Sequence, residues 1–403
     1  MLLEFTVGNF LSFKDKKTFS LEAGSISELK ENVVKEEKYK VLRSAVIYGA
    51  NSSGKSNFIK ALEFMVETVK NSSKLNSTDE LKTKPFLLNT GTQNSPSYFE
   101  ILFTRLGKRF RYGFELDNDK VHNEWLYILN KNSTNEVLYF IRNINGIGVS
   151  DVFEEAKGFV ENTRENGLFL SLLDQLNIEI AKIVMRNFSF TNVKSGLNHE
   201  SSISMTSVIH TDDYYENKID SFIATLDLGF NKFIIDPDSN KNFKNRIKTL
   251  HNVYDDKGVK VSEYEFKLLD QESSGTNKVF DLSGYIIFTL KLGLLLIIDE
   301  LDSKLHPILT QEIIKLFNNP ETNPNNAQLI FTTHDTNLLG ANLFRRDQIW
   351  FTEKDDFEAT DMYSLLEFKD EDGNTIRKDR SFEKDYIRGR YGAIPYISNF
   401  QEV

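Results

Sequence analysis

The eight residues Gly49-Ala50-Asn51-Ser52-Ser53-Gly54-Lys55-Ser56 constrain this chain more than any other stretch. They follow an apolar run, Arg43 to Tyr48, that reads as a strand. They precede Asn57 to Lys70, where Phe58, Ile59, Leu62, Met65, Val66 and Val69 recur on the 3.6-residue period of a helix. A strand, a glycine-bounded turn with the spacing G-x-x-x-x-G-K-[ST] and a helix form a phosphate cradle, because free N–H groups and the positive end of the helix dipole face the turn. Lys55 would neutralise β and γ phosphates, and the Ser56 hydroxyl would reach Mg²⁺. Gly49, Asn51, Ser52, Ser53, Gly54 and Asn57 complete the expected nucleotide-binding set. A plain Gly/Ser turn is the competing reading, but a chance match in a chain of this composition has a probability of about one in a hundred.

A second pattern is Leu294-Leu295-Leu296-Ile297-Ile298-Asp299-Glu300. Five apolar residues predict a strand buried on both faces, with two carboxylates at its carboxyl end, where open α/β sheets bind their ligands. Asp299 is expected to hold Mg²⁺ through water, and Glu300 to polarise the water that attacks a γ phosphate. His334 follows the apolar strand Leu329-Ile330-Phe331 and Thr332-Thr333. Although a lone histidine is usually a surface or core residue, this one ends a strand expected beside the Asp299 strand, within reach of a γ phosphate. Glu272-Ser273-Ser274-Gly275-Thr276 reads as a helix cap and anion site, weak alone but placed one helix before the Asp299 strand.

The rest of the sequence divides less sharply. Residues 71 to 96 are polar and carry Pro85 and Pro96, which predicts a loop-rich excursion. Strands are predicted at Tyr98 to Phe103, Arg109 to Glu115, Trp125 to Leu129 and Val137 to Ile141. From about residue 150 to 225 the pattern is helical, with Phe169, Leu170, Leu172, Leu173 and Leu176 bunched as a buried face. His199 to Asn217 has no clear period and reads as a flexible or partner-facing segment. From Glu272 onward the patterning is α/β.

Composition excludes several classes. There is no cysteine, so disulfides, Cys-ligated metals and thiol nucleophiles are absent. The amino terminus lacks a secretory pattern, and the most apolar stretch, Ile286 to Ile298, is short and interrupted by Lys291; a soluble cytoplasmic protein without membrane contact is expected. A net charge of −10 disfavours a surface that wraps nucleic acid throughout. The local cluster Lys241, Lys244, Arg246 and Lys248 keeps a nucleic-acid contact open, although such clusters are mostly solvated faces.

Taken in order, these motifs resemble the ABC-type ATPases: Walker A, a signature, Walker B with a catalytic Glu, and a switch His. Ser273-Ser274-Gly275 resembles the signature core, and Leu301-Asp302 resembles the D-loop. Gln93 lies near the region expected for a Q-loop, in a poor context. The long gap between Gly54 and Ser273 is similar to SMC, RecF and OLD-type proteins. More specifically, the chain resembles stand-alone AAA-type ATPases of the RloA and AbiL kind. The matching stretches are Phe10-Leu11-Ser12-Phe13, Tyr112-Gly113-Phe114-Glu115, Glu124-Trp125-Leu126-Tyr127, Asp299-Glu300-Leu301-Asp302 with His306-Pro307, Asp347 to Phe351 and Gly389 to Pro395.

The resemblance implies an α/β ABC-ATPase head: a P-loop core sheet plus an antiparallel β-subdomain, with a largely helical insertion. Residues 1–148 would form lobe I, 149–258 the insertion, and 259–403 lobe II. It also implies Mg-dependent ATP hydrolysis by Lys55, Glu300 and His334, and head-to-tail pairing into a homodimer or higher homo-oligomer. In each pair Ser273 and Gly275 of one copy would cap ATP on the other. The group is associated with bacterial antiphage defence beside a separate, nuclease-like effector, so a sensor or regulator is expected. A RecF-like or SMC-like DNA-maintenance ATPase shares every motif and differs in binding DNA directly. A slowly hydrolysing, nucleotide-gated scaffold is a third reading.

Overall fold

The computed structural model describes residues 1–36, 38–189, 191–195, 203–226, 228–236, 246–370 and 373–395. In chain order the strands and helices begin with β1 (Leu2–Gly8), β2 (Lys17–Ser20), the hairpin β3 (Val33–Glu36) and β4 (Tyr39–Leu42), β5 (Ser44–Gly49) and α1 (Lys55–Asn71). An antiparallel run follows: β6 (Ser97–Arg105), β7 (Lys108–Leu116), β8 (Val121–Leu129), β9 (Val137–Asn143) and β10 (Gly146–Val149). Next come α2 (Phe169–Gln175), α3 (Glu179–Ser189), β11 (Thr191–Ser195), α4 (Ile203–Ile209), α5 (Asp213–Ala224), β12 (Lys232–Ile235), β13 (Ile247–Tyr254) and β14 (Lys260–Lys267). The chain continues through α6 (Leu268–Gln271), α7 (Ser274–Leu292), β15 (Leu295–Asp299), α8 (Pro307–Asn318), β16 (Gln328–Thr332), α9 (Asn337–Gly340), β17 (Ile349–Lys354), β18 (Thr360–Ser364) and α10 (Phe382–Ile387).

The central sheet has the order β11-β15-β16-β5-β17-β18, parallel except for the antiparallel edge strand β18. Its inner strands β15, β16, β5 and β17 carry apolar residues at consecutive positions because both faces are covered. Ala45 and Ile47 of β5, Ile297, Ile330 and Trp350 point into one core, shared with α1 and the antiparallel sheet. Val46, Tyr48, Leu296, Ile298, Leu329, Phe331 and Phe351 point into a second core, shared with α7 and α8. Period-two alternation thus sorts each strand between two apolar layers.

The antiparallel sheet, β10-β9-β8-β7-β6-β1-β2, packs over α1. Gly113 is required there: a Cβ would stand 2.4 Å from the Trp125 ring. Phe58 of α1 meets Phe5, Phe13 and Phe19, with ring centroids at 5.6, 6.4 and 5.1 Å, which fixes the helix that follows the glycine turn.

The structure departs from the local sequence reading in three places. The helical pattern from 150 to 225 is interrupted by β11, an edge strand of the central sheet. Its composition, Thr-Asn-Val-Lys-Ser, lacks the apolar run that marks the inner strands. Leu176, grouped with the buried face of α2, is exposed. Within His199 to Asn217 the described residues form α4 and the start of α5, both packed on α7; residues 196–202 lie outside the described residues. So do Lys241 and Lys244 of the basic cluster. Of the other two, Arg246 donates to the Asp236 carbonyl at 2.8 Å, and Lys248 is ion-paired with Glu265.

Candidate active site

The carboxyl ends of β5, β15, β16 and β17 meet at one edge of the central sheet, and a pocket of about 550 Å³ opens there. It is lined by Asn51, Ser52, Ser53, Gly54, Lys55, Ser56, Asn57, Glu300, His334 and Lys354. Four sequence-distant segments therefore converge on one volume. Gly49, Asp299, Ser273 and Gly275 do not line it.

The glycine turn is held from behind. A Cβ on Gly54, whose φ is 118°, would stand 2.3 Å from Thr360 Oγ1; one on Gly49 would stand 2.4 Å from Ser53 Oγ and 2.5 Å from the Thr352 carbonyl. Neither position admits another residue without moving its neighbours. Ser53 shares a 2.7 Å hydrogen bond with Thr352, and Thr360 Oγ1 lies 3.0 Å from the Ser53 carbonyl and 2.7 Å from Ser12 Oγ. Asn57 donates to Ser12 Oγ at 2.8 Å. The turn Phe10-Leu11-Ser12-Phe13 is thus a brace between the glycine turn and β18. Lys55 Nζ donates to the carbonyls of Gly49 at 2.7 Å and Ala50 at 3.0 Å. Burial lowers its pKa, against the pull of Asp299, Glu300 and Asp302.

At the end of β15, Thr332 Oγ1 donates to Asp299 Oδ1 at 2.6 Å and accepts from Glu300 N at 2.7 Å. Glu300 has φ 55°, a left-handed conformation uncommon outside glycine, which turns its side chain out of the strand and toward the pocket. His334 N donates to Asp302 Oδ2 at 3.3 Å. The imidazole is held below its ordinary pKa by the packing around it and by Lys55, so it is neutral at pH 7.

Ser273 caps α7, accepting from Thr276 N at 3.0 Å, as the sequence predicted. It is exposed, away from the pocket of its own chain. Gln93 is exposed and donates to the Leu87 carbonyl at 2.7 Å, outside the pocket. Two features escaped sequence reasoning. Lys354 reaches the pocket from the end of β17, and no local pattern marks it. A neighbouring, more apolar cavity of about 520 Å³ shares Asn57 and Lys354 and adds Leu11, Ser12, Phe86 and Leu87. The available sequence signal was the apolar Phe86-Leu87-Leu88 inside an otherwise polar stretch, and Leu87 and Leu88 are exposed in the structure.

Of the other quoted stretches, several hold the fold. His306 caps α8 with Pro307 at its first turn. Asp347 pairs with Arg345 at 2.7 Å, while Gln348 donates to the Ser44 carbonyl at 2.9 Å. Tyr391 accepts from Tyr363 through its carbonyl at 2.6 Å.

A glycine turn between a parallel strand and a helix, with an acidic strand end beside it, defines a P-loop nucleotide-binding site, and the family match over most of the chain makes it an ATPase of the ABC/AAA class. Within that class, residues 44–340 match the family described as "AAA domain, putative AbiEii toxin, Type IV TA system", and the chain belongs to it. The fold is that of an SMC head bound to the C-winged helix domain of ScpA: 13% identity, a TM-score of 0.50, and 90% of this chain aligned with 97% of that one. The SMC head domain from Thermotoga maritima aligns at 14% identity and a TM-score of 0.44, covering 90% and 98%. The recombination mediator protein RecF with ATPrS aligns at 14% and 0.34, covering 90% and 98%. No curated protein matches the sequence. Among the described residues no helix is long and apolar enough to cross a membrane.

Proposed function

We propose that the chain binds and hydrolyses ATP in the pocket at the end of the central sheet, and that two copies complete each other's sites head to tail. The observation that carries this reading is the separation of the signature from its own pocket: Ser273 and Gly275 sit exposed or half-exposed at the start of a 19-residue helix and line no part of the Walker pocket of the same chain. An anion-ready helix end is matched to a phosphate only in a second copy. The adjoining apolar cavity suits the base of the nucleotide.

Within the site, backbone N–H groups of Ser52 to Ser56 would cradle the phosphates, and Lys55 would exchange its two backbone carbonyls for phosphate oxygens. Glu300, turned toward the pocket, would orient the attacking water and accept its proton. Neutral His334 would contact the γ phosphate. Ser56 and Asp299 offer only oxygen donors, which suits Mg²⁺; when bound, the ion neutralises phosphate charge.

In the cell, the reading is a sensor or regulator of a separate effector, nuclease-like and encoded nearby, in bacterial antiphage defence. The resemblance to the RloA and AbiL kind and the toxin–antitoxin description of the family support it. The first experiment is native mass with and without ATP and Mg²⁺ for wild type, Lys55→Ala and Glu300→Gln. Mass doubling with ATP, strongest in Glu300→Gln and lost in Lys55→Ala, supports the proposal. A monomer under all conditions, with turnover stimulated by DNA alone and steeply salt-dependent, overturns it in favour of DNA maintenance.

A further inference from the structure

The junction of α4 and α5 carries a cluster outside the pocket at the end of the central sheet. His210 follows α4 directly, while Glu216 and Asp220 lie four residues apart on α5, and so on one face of that helix. One ligand-capable atom from each lies within 4.8 Å of the others; among the described residues this is the only place where three such side chains converge. His210 is 5% exposed, and its Nε2 has no hydrogen-bond partner; Asp220 Oδ1 is likewise buried without one. Those two atoms face each other at 3.6 Å, too long for a hydrogen bond.

Two orphaned, buried polar atoms in contact are costly unless something lies between them. A tetrahedral ion with bonds of about 2.0–2.1 Å sets its ligand atoms about 3.4 Å apart. The His210–Asp220 separation is already close to that edge, and Glu216 needs a rotamer adjustment to complete the third corner. We propose that His210, Glu216 and Asp220 bind a divalent transition ion, zinc foremost. One imidazole and two carboxylates make a donor set of borderline softness, better matched to zinc than to Mg²⁺ or Ca²⁺, which prefer oxygen-only shells.

The placement gives the ion a structural role. Thr206 of α4 lies so close to Gly284 of α7 that a Cβ on Gly284 would stand 2.5 Å from its Oγ1, and Thr206 donates to the Asp281 carbonyl at 3.2 Å. An ion that ties the end of α4 to α5 therefore fixes both helices on α7, the helix whose first turn carries Ser273.

The test uses untagged full-length protein, stripped with chelator and kept free of nucleotide. With no cysteine in the chain, thiolates add nothing to background zinc binding and a cobalt spectrum has no thiolate component. Wild type should take up one zinc per chain at low-micromolar free metal, show visible d–d bands with Co²⁺, and melt at higher temperature with zinc than without. Excess Mg²⁺ and Ca²⁺ should not displace the ion. His210→Gln and Asp220→Asn, checked for native circular dichroism, should each lose the zinc and the thermal shift. Glu300→Gln and His251→Gln should keep both, since these acids and imidazoles lie elsewhere. No zinc uptake by wild type overturns the proposal, leaving His210 and Asp220 as an ion pair. Uptake that survives His210→Gln and Asp220→Asn, or that vanishes in Glu300→Gln, overturns it as well.

Discussion

Lys278 Nζ donates to the main-chain carbonyl of Glu300 at 3.0 Å, joining α7, the helix that Ser273 caps, to the turn that bears Glu300. The same ammonium reaches the carbonyls of Leu301 at 2.9 Å and Ser303 at 2.6 Å. One buried side chain thus shapes the turn in which Glu300 takes its left-handed conformation. Lys278→Met leaves these carbonyls without their donor and should cost about 1–3 kcal/mol of stability. On the proposed reading hydrolysis should fall further than ATP binding, because the turn positions Glu300; turnover assays beside nucleotide titration separate those two effects, and denaturant melts read the stability loss.

Stability should also depend on pH through α7. Burial pushes the Asp281 carboxyl up from 3.8 to about 8, so between those values the folded chain holds a proton that the unfolded chain releases, and stability falls as pH rises. Burial pushes Lys278 down from 10.5 to about 8, so above 8 the unfolded chain binds the extra proton and stability rises again toward 10.5. Melting temperature against pH should therefore carry a trough near pH 8. Asp281→Asn should flatten its acid side and Lys278→Met its alkaline side.

Glu124 is fully buried and accepts from Phe169 N at 2.7 Å, Leu170 N at 3.0 Å and the Tyr112 hydroxyl at 3.0 Å, so it caps the start of α2 from the antiparallel sheet. Glu124→Ala leaves these three buried donors without their acceptor, for a loss of about 1–3 kcal/mol, while Arg142 keeps its bonds to the Gly167 and Glu165 carbonyls. The folded fraction should bind ATP as wild type does, which a melt combined with nucleotide titration would show.

Glu272, the residue before Ser273, accepts from His251 at 2.7 Å and from Thr249, both on β13. On the head-to-tail reading, His251→Ala loosens the signature and should weaken ATP-driven pairing about tenfold, roughly 1.4 kcal/mol, with ATP affinity of the single chain unchanged. Analytical ultracentrifugation across protein concentration would measure it.

Because His334 gives up its proton below the ordinary 6.5, it is already neutral throughout pH 7 to 8. ATP hydrolysis should show no histidine limb in that range and should decline only below pH 6.5. His334→Gln, which keeps a donor, should remove that acid limb while retaining more activity than His334→Ala.

The sequence by itself determined the parts whose rules are local. The glycine turn between β5 and α1, the apolar β15 ending in Asp299 with Glu300 directly after it, and the Ser273 cap each depend on residues a few positions apart, where period, capping and backbone freedom act directly. Tertiary structure decided what those parts face. β11 became a strand because β15 offered it an edge, not because Thr191–Ser195 reads as one. Lys354 entered the pocket because β17 pairs with β5, and Thr360 closed over Gly54 from the next strand. The meeting of His210, Glu216 and Asp220 required α4 and α5 to be brought together on α7, and the reach of Lys278 to Glu300 required α7 to pack against β15. Such contacts are set by the burial of two apolar faces of one sheet, a long-range balance that no short window of sequence contains.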